Sequence, residues 1–173
     1  MNSRPQADEY AAYYGRYIEK VPDGDVVAHL ESQGNATQKI LASVSEEKAG
    51  YRYEPGKWSI KQVVGHIADA ERVFAYRLLA IARGEKQPLP GFDENEYMET
   101  ADFDARPLSE LAEGLAATRR ATMALVRSLN DEAWNRRGVA SDNPISVRAL
   151  AWVIAGHERH HVNILRERYG IAT

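Results

Sequence analysis

The stretch SVRALAWVIAGHERHHVNILRERYG, residues 146–170, decides how this chain folds. Leu150, Val153, Ile154, His157, His161, Ile164 and Leu165 recur three and four apart, the spacing of one face of an α-helix. Ser146 can cap its start, Ile145 and Leu150 can staple it, and Tyr169-Gly170 marks its end. At about 100° per residue, His157 and His161 lie about 40° apart within the apolar stripe, so both imidazoles are expected to face inward. His160 lies about 60° to one side of His157 and reads as a boundary residue. The segment His157-Glu158-Arg159-His160-His161 also matches H-E-x-x-H, a zinc-protease pattern.

Three further segments carry the same period. After Asp23 and Asp25, either able to cap, Val27, Leu30, Gly34, Thr37, Leu41 and Val44 form a narrow seam. In KWSIKQVVGH, Ser59 and Gln62 have capping-box spacing and Trp58 and Val63 that of a staple. Val63, Ile67, Ala70, Phe74, Leu78 and Ile81 then line one face until Gly84. From Pro107, suited to a first helical turn, Leu108, Leu111, Leu115, Thr118, Thr122, Leu125 and Leu129 give the cleanest repeat. No segment alternates apolar and polar residues between hairpin turns, so the chain is expected to be all-α.

A single domain over residues 1–173 follows from the length, with residues 1–21 as an N-terminal extension. Within that extension, EYAAYYGRY places Tyr10, Tyr13, Tyr14 and Tyr17 on one helical face, which reads as a packing element rather than a binding site. The connection GEKQPLPGFDENEYMETADFDAR is roughly twice the usual length between bundle helices and can cross the bundle or cover a site.

Composition narrows the function. Lys and Arg total 22 against 25 Asp and Glu, a net charge of −3 that argues against nucleic acid as a partner. Cysteine is absent, so a metal must be held by nitrogen and oxygen and a nucleophilic sulfur must come from elsewhere. The N-terminus lacks a signal-peptide core and no apolar run reaches membrane-spanning length, which leads to the expectation of a cytoplasmic protein without a membrane partner.

His66 falls at the margin of the buried face of the second long segment, whereas His29 lies nearly opposite the first seam and reads as a surface residue. Two imidazoles at i and i+4 can share one metal, and a facing helix can supply a third. His66 is about 10 Å from the start of its helix, while His161 and His157 are about 12 and 18 Å from the end of theirs. Antiparallel packing would bring the three to one level. A protease is the weaker reading, because only twelve residues follow His161 and the longer metzincin pattern would need Gly and His where Ile164 and Glu167 stand. Glu158 then reads as an exposed helix residue, and Arg136 and Arg137 as facing solvent.

KWSIKQVVGHIADAERVFAYRL, PLSELAEGLAATRRATMALVRSL and the closing SVRALAWVIAGHERHHVNILRERYG together resemble the second, third and fourth helices of the DinB-like (YfiT-like) superfamily of metal-dependent proteins, which is distinct from the DNA polymerase sharing the DinB name. The likeness runs from about Pro22 onward. It implies a four-helix bundle with up-down-down-up topology, the long connection as its crossover, His66, His157 and His161 as metal ligands, and a homodimer. Relatives include bacillithiol S-transferases and mycothiol-dependent maleylpyruvate isomerases. The leading expectation is therefore a divalent-metal enzyme using a low-molecular-weight thiol on a small-molecule substrate. Its rivals are metal-dependent hydrolysis and a non-catalytic metal-binding or structural bundle. Zinc or nickel lead as the metal, with iron behind them.

Overall fold

Four long helices form where the apolar spacing predicts them, and three of them begin on a side-chain cap. The computed structural model describes residues 3–172. Two 3-10 turns, Ala7–Glu9 and Ala12–Tyr14, lead into the four-residue α1, Gly15–Ile18. The first long helix, α2, Val26–Ala42, starts on Asp25, whose carboxylate accepts from the Val27 N–H, and the short α3, Glu46–Ala49, follows. At the head of α4, Ile60–Ala82, the Ser59 hydroxyl accepts from the Gln62 N–H while Gln62 Oε1 accepts from the Ser59 N–H, each at 3.0 Å. This is the capping box, which satisfies two otherwise orphaned donors.

The same helix ends in a Schellman motif. Glu85 N–H donates to Ala80 O and Gly84 N–H to Ile81 O, and Gly84 takes φ +90°, which glycine adopts without a Cβ penalty. The crossover then carries α5, Glu94–Thr100, and a 3-10 turn at Phe103–Ala105. Next come α6, Leu108–Arg127, beginning on Pro107, and α7, Asp131–Asn135. The last helix, α8, Val147–Glu167, opens on Ser146, whose hydroxyl accepts from the Ala149 N–H.

The chain is helical as expected, with one small addition. β1, Arg137–Ala140, and β2, Asn143–Ser146, form an antiparallel hairpin in which Gly138 faces Ile145 and Val139 faces Pro144. Its turn residues Ser141 and Asp142 both have positive φ, 51° and 60°, as a two-residue hairpin turn demands. Ser-Asp is a weaker turn signal than Asn-Gly, and Pro144 argues against a strand, so this hairpin left little trace in the sequence pattern. The crossover pins it: Leu89 N–H donates to Val139 O at 2.9 Å, and Ser141 N–H donates to Leu89 O at 3.0 Å.

Contacts at the helix ends fix the topology. The Tyr169 hydroxyl beyond α8 donates to Trp58 O ahead of α4, and Arg136 just before the hairpin donates to Ala82 O at the end of α4, so α4 and α8 run antiparallel. Lys61 at the start of α4 donates to Asp104 O just before α6, so α4 and α6 run parallel and the crossover must return the chain along the bundle. Arg127 at the end of α6 pairs with Glu31 early in α2, and Gln38 late in α2 donates to Ala112 O early in α6, so α2 and α6 run antiparallel. The four long helices therefore run up-down-down-up.

Their core is in two parts. One apolar cluster holds Ile18, Leu30, Phe74, Leu78, Trp152 and Ile154, and the other holds Ile40, Ile60, Ile67, Leu111, Leu115 and Leu165. Between them lies a layer of buried polar groups from all four long helices: Gln33, His66, Glu71, Arg119, His157 and Glu158.

Candidate metal centre and its pocket

α4 and α8 share the most extensive helix contact in the fold, and the three inward-facing histidines meet across it. One ring nitrogen from each of His66, His157 and His161 lies within 4.8 Å of the others. His66 Nε2 is 3.0 Å from His157 Nε2, and the His161 ring centroid is 4.7 Å from that of His66 and 4.5 Å from that of His157. His66 and His157 are 4% and 5% exposed, and His161 is partly buried. The bundle thus brings together the three residues singled out in the sequence.

Burial sets their charge. Loss of water pushes the His66 pKa down to about 4, helped by the nearby His160. His157 and His161 lie well below the ordinary histidine value, again through burial first and then through the neighbouring imidazoles. All three are neutral near pH 7, the form in which an imidazole offers a lone pair to a metal. Two nitrogens each about 2.0–2.1 Å from a tetrahedral zinc are about 3.3 Å apart, close to the spacing of the two Nε2 atoms. The donor set therefore fits one divalent cation.

Aromatic rings shield the cluster from water. Trp58 lies 4.9 Å from the His66 ring, and Tyr17 and Phe74 lie 5.3 and 5.8 Å from that of His157. Two glycines let these walls close. A Cβ on Gly156, beside His157, would fall 2.1 Å from Tyr17 O, and one on Gly65, beside His66, would fall 2.6 Å from the Phe103 ring. α1 and the crossover thus press on the bundle at the two residues that precede His66 and His157.

A cavity of about 260 Å³ opens beside His157, walled by Tyr14, Tyr17, Phe74, Arg77, Phe92 and Ser141 among others. The tyrosine segment was expected to serve packing alone; instead Tyr14 and Tyr17 form one wall of this cavity, while Tyr13 is 52% exposed. Tyr17 accepts from Arg16 at 2.8 Å, and burial raises its pKa, so it stays a neutral donor. Neither this wall nor Arg77 could be placed from spacing, because the segment passes from 3-10 turn into a short helix and the cavity joins five parts of the chain. The adjacent pairs Gly65-His66 and Gly156-His157 were the signal available.

Glu158 overturns its expected exposure. It is 1% exposed and accepts from Arg119 Nη2 at 2.9 Å and Gln33 Nε2 at 2.6 Å. Arg119 also holds Glu71 through two 2.8 Å bonds and donates to Leu30 O, while Arg159 donates to Gln33 Oε1. Burial works against the Arg119 charge, but Glu158 and Glu71 more than offset it and raise its pKa. The glutamate of H-E-x-x-H is therefore committed to an ion pair, which removes the general base that a protease of this pattern needs. His29, expected at the surface, is partly buried with its ring centroid 6.4 Å from that of Trp152. Arg136, expected to face solvent, is partly buried as it donates to Ala82 O, whereas Arg137 is exposed and paired with Asp8. His160 is a partly buried boundary residue.

Known proteins are similar to this chain to differing degrees. "Putative metal-dependent hydrolase OB0413" of Oceanobacillus iheyensis is 27% identical over 148 residues, 83% of this chain and 85% of its own. A "Putative metal-dependent hydrolase" of Geobacillus thermodenitrificans is 29% identical over 154 residues, 83% and 84% of the two chains. Among solved structures, YfiT from Bacillus subtilis, described as "a probable metal-dependent hydrolase with an unusual four-helix bundle topology", superposes with a TM-score of 0.74 at 20% identity over 97% of this chain and 94% of that one. A mycothiol-dependent maleylpyruvate isomerase gives 0.67 at 14% identity, with 84% of this chain matched to 61% of that longer one. At these identities the two superpositions establish a common fold. The sequence profile of the DinB superfamily matches residues 29–165, most of the length and all three histidines, and the chain belongs to that superfamily.

Proposed function

We propose that the protein is a metal-dependent hydrolase of a small substrate, with His66, His157 and His161 holding one divalent cation and the cavity beside His157 receiving the substrate. The observation that carries this reading is the convergence of three neutral imidazoles from two helices, with ring nitrogens within 4.8 Å, at the wall of a cavity. A divalent cation bound there supplies Lewis-acid polarisation and lowers the pKa of a bound water. The chain itself contributes neutral ligands, which leave the positive charge uncompensated. It also contributes the Trp58, Phe74 and Tyr17 rings that exclude bulk water, and a protonated Tyr17 hydroxyl at the cavity wall. Zinc or nickel suits an all-imidazole site, with iron a further candidate. The descriptions of the sequence relatives support hydrolysis.

A second reading is transfer to or from a low-molecular-weight thiol, for which the fold likeness to a mycothiol-dependent isomerase is the support. With no cysteine in the chain, that sulfur would have to arrive as a small molecule. The homodimer suggested by the family resemblance belongs to the same proposal, and sedimentation of the purified protein tests it.

The first test is metal content in tag-free protein, wild type against a His66→Ala/His157→Ala/His161→Ala variant. Near-stoichiometric metal in the wild type and its loss in the variant are expected. Wild type that neither carries metal nor takes up added zinc or nickel overturns the site. Metal-loaded protein is then assayed on small esters and amides with and without added thiol. Turnover without thiol supports hydrolysis, and turnover that requires thiol moves the assignment to transfer.

A further inference from the structure

We propose that Arg77 is the anion-binding residue of the substrate cavity, and that the cavity takes a small molecule with one carboxylate on an apolar or aromatic body. This rests on the reading of that cavity as the substrate site and names its substrate class.

Arg77 is only 2% exposed, yet among the described residues it forms no ion pair. The contrast within the molecule is sharp. Buried Arg119 has Glu71 and Glu158, and Arg148 has the buried Glu9. The hydrogen-bond partners of Arg77 are neutral: its Nη2 donates to Pro90 O at 2.7 Å and to Ser141 Oγ at 3.0 Å, and its guanidinium also lies by the Tyr14 hydroxyl. Its Cζ is 5.8 Å from the Phe74 ring centroid and 5.7 Å from that of Phe92. A buried cation that lacks a counter-charge is costly, and a guanidinium carries five donors in a fork matched to a carboxylate. The hydrogen bonds to Pro90 and Ser141 both use one of its nitrogens, Nη2.

Position gives this charge its meaning. Arg77 and His157 line the same cavity, and the Phe74 ring stands between them, 5.8 Å from each. A ligand whose carboxylate pairs with Arg77 can lie along Phe74, Phe92 and Tyr14 with its other end toward the histidines. The remaining charged side chain of the lining is Glu94, exposed at the start of α5. A carboxylate there disfavours a second negative group at the mouth, which selects a monoanion over a polyanion.

The test is calorimetric titration of the full chain with benzoate and with its neutral analogue benzamide, as metal-loaded protein and after chelator treatment. Wild type is expected to bind benzoate about tenfold more tightly than benzamide in both forms, as charge-assisted pairing with a guanidinium implies. Arg77→Gln is expected to erase the preference. Because Arg77 also holds Pro90 and Ser141, Asn143→Asp provides an independent arm at an exposed lining position: benzoate should weaken and benzamide should not. Equal binding of the two probes, binding of neither, or a preference that survives Arg77→Gln overturns the proposal. A preference that vanishes when metal is stripped places the carboxylate on the cation and also overturns it. A preference that persists in stripped protein, alongside loaded protein that hydrolyses nothing, retains the anion subsite and removes the hydrolase reading.

Discussion

His66, His157 and His161 are neutral because the fold withdraws them from water, and that has a thermodynamic cost in acid. In the unfolded chain each titrates near 6.5, whereas in the native state His66 falls to about 4 and the other two lie well below their ordinary value. Below pH 6.5 the unfolded state therefore binds more protons than the native state, so native stability declines as pH falls through 6.5 toward the folded values. The His66 shift alone corresponds to about 3 kcal/mol. For chelator-treated protein, the melting temperature is expected to drop between pH 6.5 and 4, and a His66→Gln/His157→Gln/His161→Gln variant should show a flatter profile. Equal profiles for the two proteins would mean that these groups are not buried neutral. The histidines were legible because a periodic stripe shows which side chains face inward. Glu158 and Arg77 were not, since each is buried by groups distant in sequence: Gln33 and Arg119 in one case, Pro90 and Ser141 in the other.

At the scale of elements, long helices were readable from period and caps, while the pieces that finish the site were not. Ser59, Gln62 and Ser146 announce helix starts with local hydrogen bonds that need no tertiary partner. The hairpin and α1 depend on docking. Leu89 of the crossover pins the hairpin over 137–146, and α1 rests on α8 because Gly156 has no side chain. Gly156→Ala tests that dependence. Its Cβ would fall 2.1 Å from a backbone oxygen, Tyr17 O, which cannot rotate away as a side chain can, so α1 has to lift. Overpacking of this kind costs about 1–3 kcal/mol. The expected result is a lower melting temperature and faster amide exchange over residues 12–18, with metal content retained because α4 and α8 keep their own packing. Unchanged exchange in that segment would show that α1 does not need the close approach.

Across the whole molecule, the polar layer lies between two apolar clusters that are each built from several helices. That arrangement separates folding from metal binding. A zinc finger collapses without its ion because the ligands are most of its core. Here Leu30, Leu78, Trp152 and Ile154 pack on one side of the layer and Ile60, Ile67, Leu111 and Leu165 on the other, none of them ligands. Arg119, Glu71 and Glu158 satisfy one another within the same layer without a metal ion. Stripped protein is therefore expected to keep its helical circular dichroism and a cooperative melt. Adding zinc or nickel at about a hundredfold excess over its dissociation constant should stabilise the native state by about 2.7 kcal/mol. For a domain of this size that is about 5–10 °C in melting temperature. The variant with all three histidines replaced by alanine should gain nothing from the metal. If stripping instead abolishes the melt, the apolar clusters are not sufficient to hold the bundle, and the layer between them is a folding determinant as well as a binding site.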